Sequence, residues 1–346
     1  MSALDGRILV TGGAGFIGSA LVWALNRRGH SRIVVTDFLD PSKRWRDSVP
    51  LGADSPAKRR NLESLRFAEF VEADSFRSRI ASHPDAFGAF SAVLHLGACS
   101  STTETNAAYL DDVNFEYTRL LAGWALARNS RFIYASSAAT YGDGSAGMDD
   151  KDGGISRLHP LNLYGRSKQR FDLHARDQGW LGRIVGLKYF NVFGPNEDHK
   201  GDMRSVVCKA SRQIRETGRV RLFKSYRPDI RDGEQRRDFL YVKDAVEMTL
   251  HFAEAAPAAA GLFNIGSGEA HTWLELVNPV FAALDLAPQI EFIDMPETLR
   301  DKYQYFTRAD ISKLRATGYT RPLTPLADAV KDYVLNYLVP DKRLGA

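Results

Sequence analysis

The sequence predicts an α/β protein: a doubly wound parallel sheet followed by a smaller, mixed α/β C-terminal domain. Three observations carry that expectation. Short apolar runs of strand length alternate with segments of helical period through the first half of the chain. Glycines at 12, 15 and 18 stand between the first such run and the first helical segment. Past about residue 191 the alternation weakens and short strands mix with helices. With 346 residues, 44% of them hydrophobic, the chain has ample material for a large core.

In chain order, residues 7–10 form an apolar run that ends in glycines, 16–26 show helical period and 33–35 form a second apolar run, a βαβ unit of Rossmann type. Residues 41–61 are polar, basic and contain Pro and Gly, and read as a long surface loop. Runs at 67–71, 92–96, 132–135 and 184–189 read as further buried strands of a sheet covered on both faces. Residues 142–159 and 227–236 read as loops rich in charge or glycine. Helical patterns at 205–216 and 272–284 and short strands at 220–223, 261–265 and 290–293 complete the chain. The expected division is a dinucleotide-binding Rossmann domain over 1–191, to which 238–267 returns, and a substrate domain made of 192–237 and 268–346.

A net charge of +4 is spread along the chain with no basic stripe, which suits an anionic small substrate and gives no footprint for nucleic acid. Two cysteines, Cys99 and Cys208, stand far apart in no metal-ligand spacing, so neither a disulfide nor a metal site is expected. The N-terminus lacks a basic region followed by a long apolar run, and no stretch of about 18 apolar residues occurs. A cytoplasmic protein with no membrane span is the expectation.

The glycines define a seat for a dinucleotide. Gly12, Gly15 and Gly18 permit a tight turn, close approach of backbone to phosphate, and close packing of helix on strand. The helix that begins at Phe16 and Ile17 turns its unpaired N–H groups toward the pyrophosphate. The spacing is G-x-x-G-x-x-G; alone it also fits a glycine-rich turn with no ligand, and the strand–helix context favours the ligand. Asp37 ends the second strand, where a carboxylate accepts from ribose hydroxyls and favours NAD. Lys43, Arg44, Arg59 and Arg60 follow, and a cation among them would favour the 2′-phosphate of NADP; solvated surface charge reads each of them equally well. Gly97, Ala98 and Cys99 would pass under the dinucleotide with little bulk, braced by the Asn114 amide.

Three side chains supply chemistry. Tyr164 and Lys168 are four residues apart and share one helical face. An ammonium beside a phenol favours phenolate, so Lys168 is expected to lower the Tyr164 pKa. The shifted phenol takes an alcohol proton while hydride leaves to a nicotinamide. Ser137 ends the fifth strand and can bond the same substrate oxygen, with Thr140 and Tyr141 either lining the pocket or packing beneath it.

These segments, with Tyr189-Phe190-Asn191-Val192-Phe193-Gly194-Pro195 and Arg237-Asp238-Phe239-Leu240-Tyr241-Val242, resemble the extended short-chain dehydrogenase/reductase superfamily. Three more segments narrow the likeness: His95 to Glu104, His199-Lys200-Gly201, and Tyr303 to Asp310 followed by Leu314 to Tyr319. With them the chain closely resembles the ADP-L-glycero-D-manno-heptose 6-epimerase family, from Arg7 to about Leu338. The resemblance implies resident NADP (NAD being possible), an ADP-heptose substrate, and a homo-oligomer, possibly a pentamer. It implies oxidation at C6 to a 6-keto sugar nucleotide and return of the same hydrogen on the other face, for lipopolysaccharide inner-core precursor synthesis.

The acid/base pair so implied is Tyr164 and Lys200, with Ser137 and Lys168 in support. Read without the family, Lys200 is a solvated loop lysine. To accept a proton it needs desolvation or cationic neighbours, and His199 and Arg204 are the candidates. The resemblance also places Phe38, Arg44, Ser100, Val192 and Lys200 at the cofactor, and Asn191, Asp202, Lys209, Phe223, Lys224, Ser225, Arg237 and Tyr303 at the substrate. Asp202 stands where a small hydroxyl residue is expected and Lys209 where a histidine is expected, and the 41–61 and 226–236 loops are longer than expected. A UDP-hexose 4-epimerase or related dehydratase, and a non-catalytic NADP-binding regulator, are the alternatives weighed.

Overall fold

The structure, a computed structural model, describes residues 4–52, 54–300 and 303–346. The expected start of the chain at residues 1–3 and one position of the 41–61 stretch, Ala53, lie outside them.

Seven strands form one sheet: β1 (Ile8–Thr11), β2 (Ile33–Asp37), β3 (Glu69–Glu72), β4 (Ala92–His95), β5 (Arg131–Ser137), β6 (Val185–Tyr189) and β7 (Gly261–Ile265). Their order is β7-β6-β5-β4-β1-β2-β3, and every neighbouring pair is parallel. All residues of β1, β2, β4, β6 and β7 are buried, as helices on both faces demand of a parallel sheet. One core gathers around Val10, Val35, Leu94 and Ile133 on one face, and a second around Leu9, Val34, Val93 and Phe132 on the other. The strand order reverses between β1 and β4, and the crevice beyond their carboxyl ends is where such sheets bind nucleotides.

Helix α1 (Phe16–Arg27) runs back from β1 along the sheet. The 41–61 stretch is more ordered than a surface loop. It holds a small hairpin, Arg44–Trp45 against Val49–Pro50, and then α2 (Ser55–Arg60), which starts on the Ser-Pro pair expected of a helix N-terminus. The hairpin is pinned by Trp45, whose indole donates to Asp112 at 3.0 Å and packs on Tyr109. Helix α3 (Ala73–Ser82) follows β3. A π-helical turn at Asp111–Glu116 leads into α4 (Tyr117–Ala127), and α5 (Leu163–Asp177) follows β5. The expected 142–159 loop contains a 3₁₀ turn at Asp152–Arg157.

The remaining residues build a smaller unit. Helix α6 (Val206–Thr217) precedes the strand Val220–Phe223, which pairs in parallel with Ile290–Ile293. Strand Asn191–Phe193 pairs with Phe239–Tyr241, so α7 (Val242–Glu254) packs against α1 and β7 rejoins the main sheet. Helix α8 (Trp273–Ala283) begins at a capping box between Thr272 and Glu275. Helix α9 (Leu326–Tyr333) packs on α8. No helix of the described residues is long and apolar enough to cross a membrane.

Residues 341–344 fold back on the segment after β6. The Leu344 N–H donates to Asn196 Oδ1 at 3.0 Å, Arg343 pairs with Asp198 at 3.0 Å, and Asp341 pairs with Arg60 of α2. The Leu344 side chain is buried. Leu344→Ala is expected to lower unfolding free energy by about 2–4 kcal/mol, read from a denaturant transition.

Candidate active site

The glycine turn lies at the carboxyl end of β1. A Cβ on Gly18 would sit 2.0 Å from the Gly12 carbonyl oxygen, so only glycine lets α1 start this close to the loop. Gly15 occupies the N-cap position and no side chain caps the helix. Its first amides are therefore left for an anionic group, which is what a dinucleotide pyrophosphate supplies. Phe16 is buried and Ile17 half-buried in the first turn of α1.

Asp37 reaches the same loop. Its Oδ2 accepts the Ala14 N–H at 3.0 Å, and Oδ1 accepts the Phe38 N–H at 2.7 Å and Lys58 Nζ at 2.9 Å. An ionised carboxylate offers about four acceptor sites, so one stays available for a ribose hydroxyl. The residues fit the adenosine half of a dinucleotide. Lys58 was not anticipated, although the Ser-Pro start of α2 places it one turn in.

Arg44 lies in the first strand of the hairpin. Its guanidinium is exposed and donates to the carbonyls of Pro41 and Lys43, because pairing with Pro50 in the hairpin turns it outward. Lys43 faces Asp74 at 3.9 Å, Arg59 donates to the Leu39 carbonyl, and Arg60 faces Asp341. Beyond β4, Asn114 donates to the Cys99 carbonyl at 3.0 Å and accepts the Cys99 N–H at 2.8 Å, holding Gly97, Ala98 and Cys99 in place; Ser100 is exposed just past them. The same amide donates to Ser167 on α5 at 2.9 Å.

Ser137, Tyr164 and Lys168 come together where β5 meets α5. Asn162 caps α5 by accepting the Gly165 N–H at 2.8 Å. A Cβ on Gly165 would lie 2.7 Å from the Ala139 carbonyl oxygen, so glycine lets the helix close on the turn after Ser137. The Tyr164 phenol and the Ser137 hydroxyl are hydrogen bonded. Lys168 is buried and donates from Nζ to the Ala135 carbonyl at 2.9 Å.

Burial pulls the Lys168 ammonium down to about 8, with Asp172 opposing. The expected lowering of Tyr164 is not what the protein alone does: burial pushes its phenol up, and the Ser137 hydrogen bond only partly offsets this. A ligand that brings positive charge beside the phenol would reverse the balance. Thr140 and Tyr141 prove to be packing residues; Thr140 donates to the Ser137 carbonyl and Tyr141 to Asn264.

Lys200 follows Asn196 and Glu197 in the turn Asp198–Met203. Its ammonium lies 5.1 Å over the Phe16 ring, at the start of α1. Burial, aided by Lys209, lowers its pKa, while Glu197 opposes. Lys209, rather than Arg204, is the helping cation; Arg204 donates to the Asp198 carbonyl. His199 is driven down to about 3 by burial and by Lys58, and so is neutral. Asn61 ties this turn to the glycine loop, donating to the carbonyls of Ala14 and Asn196 at 3.0 Å each. Neither Asn61 nor Glu197 was anticipated; both fall in stretches whose sequence carries no periodic signal.

On the side of the smaller unit, Arg237 is buried, and among the described residues it forms no ion pair with a carboxylate. Its guanidinium lies 5.0 Å over Tyr303 and 5.9 Å from the Trp273 ring, and burial lowers it to about 10. The Tyr303 hydroxyl accepts from the Trp273 indole. A desolvated guanidinium is suited to an anionic ligand. Asn191 is exposed and Val192 half-buried in the strand beside it, Phe223 ends its own strand, Lys224 pairs with Asp294 at 3.2 Å, and the Ser225 N–H donates to Asp232. Asp202 and Lys209 line a cavity of about 650 Å³ between α6 and the chain around Tyr333 and Arg343, which none of Ser137, Tyr164, Arg237 or Tyr303 lines. Among the described residues no cluster of His, Cys, Asp or Glu suits a metal ion.

The profile of the NAD dependent epimerase/dehydratase family matches residues 8–266. The chain is 50% identical over 330 residues to the ADP-L-glycero-D-manno-heptose-6-epimerase of Nitratidesulfovibrio vulgaris strain DP4, covering 95% of this chain and 97% of that protein. It resembles the crystal structure of the Helicobacter pylori ADP-L-glycero-D-manno-heptose-6-epimerase with TM-score 0.76 and 27% identity, covering 96% of each chain. A Bacillus cereus UDP-glucuronic acid 4-epimerase mutant, solved with a fluorinated UDP-sugar and NAD, matches at TM-score 0.74 and 25% identity over 96% of this chain and 99% of that one.

If Gly18 is needed for the closeness of loop and helix, Gly18→Ala strains that contact by about 1–3 kcal/mol. Dinucleotide affinity, measured by calorimetry, should then fall by about tenfold to a hundredfold.

Proposed function

The chain belongs to the NAD dependent epimerase/dehydratase family and, within it, to the ADP-L-glycero-D-manno-heptose-6-epimerases, and we propose that it inverts C6 of ADP-D-glycero-D-manno-heptose with NADP as resident cofactor. The observation that carries this reading is Lys200, half-buried with its ammonium over the Phe16 ring at the start of α1. A generic sugar oxidoreductase needs the Ser137, Tyr164 and Lys168 group alone; inversion needs a second acid/base. We read residues 1–191 with 238–267 as the dinucleotide half, and 192–237 with 268–346 as the sugar-nucleotide half. We further assign the protein to the cytoplasm, where the free thiols of Cys99 and Cys208 stay reduced, and to a homo-oligomer.

The glycine loop and the uncapped start of α1 would hold the pyrophosphate, and Asp37 a ribose hydroxyl. Lys58, beside that carboxylate, supports NADP over NAD, because its ammonium is the cation that would meet a 2′-phosphate. A bound dinucleotide supplies reversible uptake and return of the C6 hydrogen with its electron pair. Ser137 orients the C6 oxygen, and Tyr164 Oη takes its proton as the C–H bond breaks, leaving a 6-keto sugar. Arg237 and Tyr303 retain the diphosphate while the sugar turns its other face. When the hydrogen returns, Lys200 Nζ gives the carbonyl oxygen a proton. Proton exchange with solvent then restores both groups. Burial, with Lys209 in support and Glu197 opposing, holds the Lys200 ammonium below its ordinary pKa, which eases its release of a proton.

Incubation of the purified protein with ADP-D-glycero-D-manno-heptose should yield the L-glycero epimer; absence of the epimer, with turnover of UDP-galactose instead, would overturn the reading. Tyr164→Phe and Lys200→Met should each lower the epimerisation rate by about 10²–10⁴-fold with fold retained by circular dichroism. Lys58→Met should weaken NADP binding by about tenfold to a hundredfold, the loss of a charge-assisted contact of about 1.5–3 kcal/mol, and leave NAD affinity nearly unchanged.

A further inference from the structure

A fully buried polar network lies beneath Ser137, Tyr164 and Lys168, and no step above uses it. Asp172 is on α5, one turn past Lys168, and is completely buried. Its Oδ1 accepts the Tyr134 hydroxyl at 2.8 Å, and its Oδ2 accepts the Ser136 hydroxyl at 2.7 Å. Both donors belong to β5, and Ser136 directly precedes Ser137. Lys188 of β6, also buried, stands 3.3 Å from Oδ2 and donates to Thr140 Oγ1 at 2.6 Å. Thr140 in turn donates to the Ser137 carbonyl at 2.8 Å. Asp172 and Lys188 thus grip the Ser137 turn from both sides.

We propose that Asp172, with Lys188, is a positioning pair that locks α5 to the end of β5 and so sets the placement and the charge of the Lys168–Tyr164 couple against Ser137. The inference rests on the role given above to those three residues. Removing the packing demand alone would not explain the arrangement. A buried ion pair is rarely worth more than an apolar pair of the same volume, so its presence here points to orientation rather than stability. Both carboxylate oxygens are spent on β5, and the lysine is spent on the turn that β5 feeds, so helix and strand end move as one body.

The charge acts as well as the bonds. The titratable groups around Lys168 are Asp172 on its own helix, Cys99 beyond β4, Tyr164 one turn away and His95 on β4; His95 is neutral, pushed down to about 3 by burial and by Lys168 itself. Asp172 is the carboxylate among them and favours the ammonium, and Lys188 faces the same carboxylate from β6.

The test is Asp172→Asn, with Ser136→Ala as a milder variant that cuts one bond and leaves the charges. Titration of ¹⁵N-lysine-labelled protein without substrate reads the Lys168 ammonium directly. In Asp172→Asn, Lys168 should lose its proton about one pH unit lower than in the parent, and the alkaline fall of the activity profile should move down with it. Ser136→Ala should lower kcat about tenfold with KM for the sugar nucleotide unchanged and the Lys168 titration unmoved. A Lys168 titration that stays put in Asp172→Asn, or a Ser136→Ala enzyme with the parent kcat, would overturn the proposal; if Asp172→Asn does not fold, Ser136→Ala decides alone. Failure of the parent protein to epimerise ADP-heptose would instead sink the proposed function and leave the NMR titration to decide the positioning role.

Discussion

The close seating of α5 on the end of β5 is the constraint on which the rest depends. Gly165 allows it, since any Cβ there would strike the Ala139 carbonyl. Lys168 and Asp172 secure it with bonds to the Ala135 carbonyl and to Tyr134 and Ser136. Through that contact a phenol, a hydroxyl and a partly desolvated ammonium share one small volume at the top of a parallel sheet. The cost is three polar groups drawn from water, and the hydrogen bonds that α5 makes to β5 offset it. Without a ligand the phenol is pushed up rather than down, so the site is built to be completed by a cationic ring.

The second constraint joins the two halves of the chain. The turn bearing Lys200 is held from four directions: by Asn61 to the glycine loop, by Asn196 to Ser19 of α1, by Tyr333 to Glu197, and by Arg343 to Asp198. Lys58 and Asn61 sit on the same short stretch, so the residue beside Asp37 and the residue that positions Lys200 move together. The 58–61 stretch thus bonds both to Asp37 at the dinucleotide seat and to the segment that leads into Lys200.

Much of this was legible in the sequence. The strands of the main sheet follow from apolar runs of the right length, and the glycine spacing, Ser137 and the Tyr164–Lys168 pair follow from motifs whose chemistry dictates their separation. What was hidden has a common cause. Lys58, Asn61 and Asp172 act through partners distant in the chain, and the 41–61 stretch has a composition that suits a loop, although Trp45 and the Ser55-Pro56 pair give it structure. Arg44, close in sequence to Asp37, stands in the hairpin that intervenes, and its guanidinium bonds the carbonyls of Pro41 and Lys43. Asp202 and Lys209 differ again: they line a cavity apart from Arg237 and Tyr303, and Lys209 bears on Lys200 through charge.

The central claim is that one hydrogen leaves C6 and returns to the same carbon on the opposite face, with Tyr164 and Lys200 handling protons on oxygen only. The most direct measurement is conversion of ADP-heptose deuterated at C6 in ordinary water, followed by mass spectrometry and NMR of the product. The account predicts an epimer that keeps its C6 deuterium in full. Loss of that deuterium to solvent would mean inversion by proton removal at carbon, and would contradict it.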